Sequence, residues 1–358
     1  MNAKLVEDIA NAVLYEGYML YPYRPSSVKN RQRWNFGVVY PKTYSELQKG
    51  ADAWFMQTEC LATASAPADL NIKVRFLQAV ARTIGELKTP LNARPVGAEN
   101  GREPDFTVVE SLQVGEHILQ TWQEAIEREI DVPSFGVTGS ESSHRSSMFT
   151  FSGGREMEPV LGGDGRIVGV IVRTKEPIQM GVEVAAKRVS DGLFKITVRI
   201  LNVTAPANPD SESRSEALMH SLLSAHTILS IQGGEFVSYI DPPVSLKEIV
   251  AGCNNVGTWP VLAGEEGQRV CMLSSPIILY DYPQIAPESP GDLFDGTEID
   301  EILALRILTL TEDEKHEMRH SDEHSRQILE RTEAMPVEHF MKLHGVLRGL
   351  RPAGEEKQ

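Results

Sequence analysis

The chain has 358 residues, 41% of them hydrophobic and 24% charged, with a net charge of −15. That length suits one large domain or two packed ones, and the apolar content is enough for a buried core, which excludes a wholly disordered protein. No apolar run approaches the length that crosses a bilayer, and Met1-Asn2-Ala3-Lys4 opens an acidic helical pattern rather than a signal-peptide core, so a cytoplasmic location is expected.

Residues 3 to 15 predict a helix, because Leu5, Ile9, Ala12 and Val13 approximate the i, i+4, i+7, i+8 spacing and Gly17 is placed to end it. Residues 17 to 45 follow, with Arg24, Lys29, Arg31, Arg33 and Lys42 and no Asp or Glu. Six of the nine tyrosines, Tyr15, Tyr18, Tyr21, Tyr23, Tyr40 and Tyr44, lie in or beside this segment. Tyr21-Pro22-Tyr23-Arg24-Pro25 should be extended, since each proline fixes its own φ and moves the residue before it out of the helical region. Asn35 to Tyr40 reads as a short strand.

Residues 70 to 84 alternate in part, with Ile72, Val74 and Phe76 against Lys73 and Arg75, as a half-buried strand does. Thr89 to Pro104 carries three prolines and two glycines and reads as a loop. The serine-rich stretch from Gly136 to Gly154 reads as a mobile surface loop. From Met157 to Thr204 the turns Gly163-Asp164-Gly165 and Ser190-Asp191-Gly192 separate β-rich runs, which predicts a multi-stranded antiparallel sheet.

Ser213 to Leu229 reads as a helix, and strands are expected over Glu235 to Ile240 and Arg269 to Tyr280 around a short helix near Ser245 to Ala251. Ile299, Ile302, Leu303, Ile307 and Leu310 line one helical face, Thr311 with Glu314 forms a capping-box pattern, and Val337 to Leu350 suggests a last amphipathic helix. Pro352 to Gln358 should fray. The expected fold class is α+β, with an antiparallel β-rich N-terminal and central part and a helical, acidic C-terminal part. Residues 1–204 and 205–358 would form two units or one composite domain.

Few residues spell out chemistry. Cys60, Cys253 and Cys271 are odd in number and widely spaced, without a C-x-x-C pair, which favours buried free thiols in a reducing compartment. His316, His320 and His324 would share a face on one unbroken helix, but no zinc signature surrounds them and a solvated face is the better expectation. His220 and His226 are six apart and would point in different directions on a helix, so packing is expected for each. Asp292, Asp295, Glu298, Asp300 and Glu301 lack the order of a calcium loop and suit a helix start. Ser143-His144 has no nucleophile elbow around it, and the glycine pairs lack phosphate-loop order. No cofactor, metal site or catalytic residue is expected.

The basic aromatic segment remains. Without its five cations the rest of the chain carries −20, which argues against general nucleic-acid binding. Its arginines could meet a protein partner, a small anion, or the chain's own residues 286 to 338, which hold fifteen Asp and Glu against five Lys and Arg. Tyr, Trp and Arg are enriched where partners dock, so Tyr21, Tyr23, Arg24, Arg31, Arg33 and Trp34 are the candidate partner-binding residues.

The stretches Leu20-Tyr21-Pro22-Tyr23-Arg24-Pro25-Ser26-Ser27-Val28-Lys29-Asn30-Arg31-Gln32-Arg33-Trp34, Ser274-Ser275-Pro276-Ile277-Ile278-Leu279-Tyr280-Asp281-Tyr282-Pro283 and Glu288 to Asp295 resemble an uncharacterised bacterial family encoded near actinobacterial-type uptake NiFe-hydrogenases. The resemblance spans most of the chain and brings no catalytic motif. It implies an accessory or assembly role in hydrogenase maturation, with a hydrogenase subunit or maturation factor as protein partner. The expectation is therefore a non-enzymatic cytoplasmic accessory protein that binds neither nucleic acid nor membrane. The alternative is a hydrolase whose site is built from distant carboxylates or Cys253.

Overall fold

The computed structural model describes residues 3–14, 37–49, 51–65, 67–92, 103–115, 117–138, 141–207, 211–284, 307–319 and 323–334. The expected features at 17–36, 292–306 and 337–358 therefore lie outside the described residues, as does His320.

Most of what is described is strand, and all the paired strands are antiparallel. A five-stranded sheet runs in the order β13 (Glu235–Phe236), β1 (Phe55–Thr63), β11 (Leu193–Asn202), β10 (Ile178–Ser190), β7 (Ser142–Phe151). An eight-stranded sheet contains β14 (Trp259–Leu262), β15 (Cys271–Ser275), β12 (Leu223–Gln232), β2 (Asp69–Leu91), β9 (Ile167–Lys175) and β8 (Gly154–Leu161). Its remaining strands, β6 (Trp122–Gly136) and β3 (Phe106–Val109), also pair with β2. β4 (Ser111–Val114) and β5 (His117–Gln120) make a separate hairpin.

β2 has 23 residues and is paired along both edges. β12 meets its residues 69–77 and β9 its residues 81–91 on one side, while β6 and then β3 follow the other. The alternation read in the sequence decides its faces. Leu70, Ile72, Val74 and Phe76 enter a core shared with Met56, Cys60 and Ala62 of β1, Met180, Val182 and Val184 of β10, and Ile196, Val198 and Ile200 of β11. The opposite face of β2 carries Lys73 and Arg75, which pair across to Glu129 and Glu127 of β6 as cross-strand ion pairs. The two sheets thus pack face to face as a sandwich.

The hairpin expected at Ser190-Asp191-Gly192 joins β10 and β11, with Gly192 at φ +67 where a side chain would be strained. α1 (Ala3–Leu14) lays Val6, Ile9 and Val13 on the outer face of the eight-stranded sheet, against Val261, Ala263, Cys271 and Leu273, and two shorter helices are α2 (Lys42–Leu47) and α4 (Lys247–Ala251). Strands on both sides of residue 205 share sheets: β12, β14 and β15 hydrogen-bond into the sheet of β2, and β13 pairs with β1.

Two expectations are corrected. The serine-rich stretch is not a loop through its length, since Ser142–Phe151 is β7, an edge strand that pairs with β10 and packs Phe149 and Phe151 on the core. Small polar residues suit the wet side of an edge. The helix expected over Ser213 to Leu229 stops early: α3 (Arg214–Met219) is only six residues long, and Leu223–Gln232 is β12. Its first five residues are buried, because neighbouring strands flank it on both sides and α1 covers one face, so the apolar run has no period to read.

β12 also buries His226 completely. Its Nδ1–H donates to the Ser224 carbonyl at 3.0 Å, and Nε2 has no partner among the described residues. Burial pushes its pKa down to about 4 against the opposing Ser224 bond, with Arg75 adding to the depression and Glu129 resisting it. The unfolded state takes up this proton below pH ~6.5, whereas the folded state does so only near 4, so falling pH favours unfolding across that window by up to about 3 kcal/mol. Urea midpoints measured from pH 7.5 to 4.5 should fall more steeply for the wild type than for His226→Gln. Parallel slopes would remove His226 as the source.

Candidate docking face and acidic pocket

β12 contains one extra residue relative to β2, since Leu223 lies opposite Leu77 but His226 opposite Arg75. Ser224, within this bulge, has φ +50, a left-handed conformation that costs a non-glycine residue about 1–2 kcal/mol. The bulge turns hydrogen-bonding groups away from the ladder. Ser224 Oγ donates to the Val13 carbonyl at 3.0 Å, and Ala225 N–H donates to the Gly37 carbonyl at 3.0 Å. Just before it, Leu222 and Val39 exchange backbone bonds of 3.1 and 2.9 Å. The end of α1 and the start of the chain at residue 37 are thus held on one bulge, which brings the two flanks of residues 15–36 together. Tyr21, Tyr23, Arg24, Arg31, Arg33 and Trp34 themselves lie outside the described residues.

The C-terminal end of the basic aromatic segment turns inward. Tyr40 and Tyr44 are buried and stacked with ring centroids 5.4 Å apart. The Tyr40 hydroxyl accepts from Arg214 Nε at 3.0 Å, and Arg214 also reaches Asp52 at 3.2 Å. Lys42 stays exposed, with its ammonium over the Trp54 ring at 4.8 Å. Two of the six clustered tyrosines are therefore core residues.

Gly37, at φ +54, packs so tightly that a Cβ would lie 2.5 Å from Pro276 Cγ. Pro276 begins an irregular segment in which burial alternates from residue 277 to residue 280. Ile277 and Leu279 pack toward α1, while Ile278 and Tyr280 are 77% and 84% exposed. Asp281 pins the segment: Oδ1 accepts from Leu262 N–H at 2.8 Å, Oδ2 accepts from Ser238 Oγ, and Tyr282 N–H donates to the Leu262 carbonyl at 2.7 Å. Ser238 Oγ in turn accepts from Asp241 N–H at 2.8 Å, which ties in the loop bearing exposed Ile240 and Val244. Large apolar side chains on a pinned backbone make a candidate docking face, for which little ordering entropy would remain to be lost on association.

A cavity of about 510 Å³ lies between the β9–β10 connection (Glu176, Pro177), the segment after β11 (Thr204 to Ala207) and the region of α3. Ser213 caps α3 reciprocally with Glu216, as a capping box. His220 closes the helix and places Nε2 3.8 Å from Glu212 Oε1, while its Nδ1–H donates to the Pro177 carbonyl at 3.5 Å. The Glu212 side chain is only 5% exposed, and its Oε2 is buried with no hydrogen-bond partner among the described residues. Burial pushes the Glu212 pKa up, His220 opposes that and Glu216 adds to it. A buried acceptor left bare costs about 1–3 kcal/mol. Sequence reading missed this site, because Glu212, His220 and Pro177 meet only through the fold.

The other candidates are not gathered with it. Cys60, Cys253 and Cys271 are free and buried. Burial raises the Cys253 pKa and the Glu59 carboxylate adds to the rise, so the thiol stays protonated near neutral pH, bonded to the Ile249 carbonyl at 3.8 Å. Glu59 is occupied, accepting from Lys195, Thr197 and Asn254. Ser143 and His144 are neighbours along β7, where successive side chains leave on opposite faces. His316 is in α5 (Glu312–Arg319) and His324 in α6 (Glu323–Glu333). Glu333 bonds both Lys315 and Arg319, residues that one continuous helix would hold roughly 20 Å away, so the two helices fold back on each other. Asp292 and Asp295 lie outside the described residues. Among those described, no group of three His, Cys, Asp or Glu is placed to hold a metal ion, and no helix is long and apolar enough to cross a membrane.

No protein-family model matches the chain, and no curated protein does. Among solved structures, the Salmonella SPI-1 type III secretion injectisome secretin InvG, in its open gate state, matches 64% of this chain and 59% of its own at 13% identity and a TM-score of 0.17. The chain thus spans under two thirds of that structure, and superposition so poor carries no argument about fold or function.

Asp281→Ala should destabilise the protein by about 2 kcal/mol, the order expected when a charged acceptor of two hydrogen bonds is lost. It should also free the segment around Tyr280 for chymotrypsin under native conditions. Urea unfolding and limited proteolysis check both, and cleavage no faster than in the wild type would show that Asp281 does not pin the face.

Proposed function

We propose that this chain is a non-enzymatic cytoplasmic accessory protein that binds a protein partner, and that the partner is a NiFe-hydrogenase subunit or maturation factor. The observation that carries the reading is the exposure of Ile278 and Tyr280 on a segment pinned by Asp281. Both belong to a stretch on which the family resemblance rests. Covering one such side chain on association is worth about 1.5–3 kcal/mol, enough to make each an anchor. The face begins at Pro276, against Gly37, where the described part of the basic aromatic segment begins. Tyr21, Tyr23, Arg24, Arg31, Arg33 and Trp34 are the other partner-binding residues of the proposal.

The same reading takes the C-terminal part as helical and acidic, with α5 and α6 its described portion. α5 starts at the Thr311–Glu314 capping box, in which Thr311 N–H donates to Glu314 at 2.8 Å. Carboxylates of this part compete with the partner for the arginines, so that internal pairing sets a threshold for docking.

Affinity purification from the native host tests the proposal, with hydrogenase subunits and maturation factors as the proteins sought. Wild type should recover one of them, whereas an Ile278→Asp, Tyr280→Asp double variant and an Arg24→Glu, Arg31→Glu, Arg33→Glu triple variant should lose most of it. The double variant should stay within ~0.5 kcal/mol of wild-type stability, because surface substitutions rarely cost more. Undiminished recovery by both folded variants, or no hydrogenase protein with the wild type, would defeat the assignment.

A further inference from the structure

Among the described residues three long strands, β6, β7 and β8, lie at sheet edges, and they differ in what they present there. β8 carries Pro159, which has no N–H to offer, with Arg155, Glu156 and Glu158, and its pairing with β9 shifts register after Val160. β6 carries Pro133, Glu124, Glu127, Glu129 and Asp131, and its register against β2 shifts as well. Proline, charge and irregularity are the devices that keep an edge from pairing with another chain. From Ser143 to Phe151, β7 has no proline, no carboxylate and an unbroken register with β10. Its one arginine turns away, since Arg145 donates to the Pro133 and Ser134 carbonyls of β6 at 3.2 and 2.6 Å.

Backbone alternation identifies the groups at the open edge. Arg188 N–H donates to the Glu141 carbonyl at 2.9 Å and Lys187 lies opposite Ser142, so the odd-numbered residues of β7 bond to β10. The N–H and C=O of His144, Ser146, Met148 and Thr150 therefore point away from β10. All four residues are exposed, Met148 to 61%.

We propose that β7 pairs with β7 of a second copy of this chain, antiparallel about a two-fold axis at Ser147, so that the five-stranded sheets of the two copies continue into one another. This register pairs the four edge residues among themselves. His144 meets Thr150 and Ser146 meets Met148 of the other copy, each pair exchanging two hydrogen bonds, so every N–H and C=O of the four is used. Arg145 falls opposite Phe149, and no like charges face each other. A chain of net charge −15 repels its own copies over most of its surface, and a strand without carboxylates is where two can approach. A closed two-fold contact leaves neither edge open, so association stops at the dimer. A contact one strand wide falls below the ~1,600 Å² of a standard interface, and a dissociation constant of roughly 1–100 μM is expected.

Sedimentation equilibrium of the full chain should show wild type passing from monomer to dimer over that range. Ser146→Pro removes one edge N–H and leaves the bonds to β10 in place, so it should weaken dimerisation at least tenfold. Ser147→Cys sets two thiols across the axis in a non-hydrogen-bonded pair, with Cα atoms about 4.5 Å apart, and should crosslink the dimer on mild oxidation. Ser143→Cys, held roughly 26 Å from its counterpart by the same register, should not. The native Cys60, Cys253 and Cys271 are buried, and the wild type reports their background. The Ile278→Asp, Tyr280→Asp variant should dimerise like the wild type, which separates this edge from the docking face. A wild type still monomeric at ~1 mM would overturn the proposal and leave the edge to a strand of another protein. Undiminished dimerisation of folded Ser146→Pro, loss of the dimer in the Ile278, Tyr280 variant, or equal crosslinking of Ser143→Cys and Ser147→Cys would overturn it too.

Discussion

The bulge in β12 is the constraint on which the N-terminal part of the structure depends. A regular strand there would spend the Ala225 N–H on the ladder and leave it no bond for residue 37. The extra residue instead sends Ser224 Oγ to Val13 and Ala225 N–H to Gly37. Two energetic costs come with it, the positive φ of Ser224 and the half-satisfied imidazole of His226. Both are local, and both are offset by connections that no straight strand would make. Closing the flanks of residues 15–36 at one point also restricts where that segment can begin and end, whatever it contacts between.

β2 gives the bulge something rigid to depart from. Paired on both edges by β12, β9, β6 and β3, it joins residues on both sides of position 205 into one sheet. The boundary expected between residues 204 and 205 marks a change in local pattern. Hydrogen bonding crosses it, because antiparallel pairing depends on register and burial and ignores the length of chain between partners.

What the sequence made legible was local. Helix α1, the alternation of β2, the hairpin at Asp191-Gly192 and the Thr311–Glu314 cap each follow from residues within a few positions of one another. β12 was misread because burial on both sides removes alternation, and Ser213 with Glu216 signals a helix start without saying that the helix lasts six residues. Of the basic aromatic segment, composition singled out the tyrosines but could not sort Tyr40 and Tyr44, which stack in the core and meet Arg214, from the rest. The pocket was illegible for a stronger reason. Pro177 and His220 are 43 positions apart, and the unsatisfied oxygen of Glu212 exists only once the cavity has closed around it.

The cavity and the bulge are not separate modules, because one buried side chain serves both. Asn202 Nδ2 donates to the carbonyls of Val39 and His220, each at 2.9 Å, while its Oδ1 accepts from Thr204 N–H at 3.0 Å. Val39 is the residue that pairs with Leu222 ahead of the bulge, and His220 and Thr204 are walls of the cavity. A fully buried amide with three of its bonds made can move only by abandoning them, each at a desolvation cost of about 1–3 kcal/mol. The position of His220 on the cavity wall and the position of Val39 within the basic aromatic segment are therefore set together. Substitution at Asn202 would disturb both places at once, so it could not be used to assign a function to either.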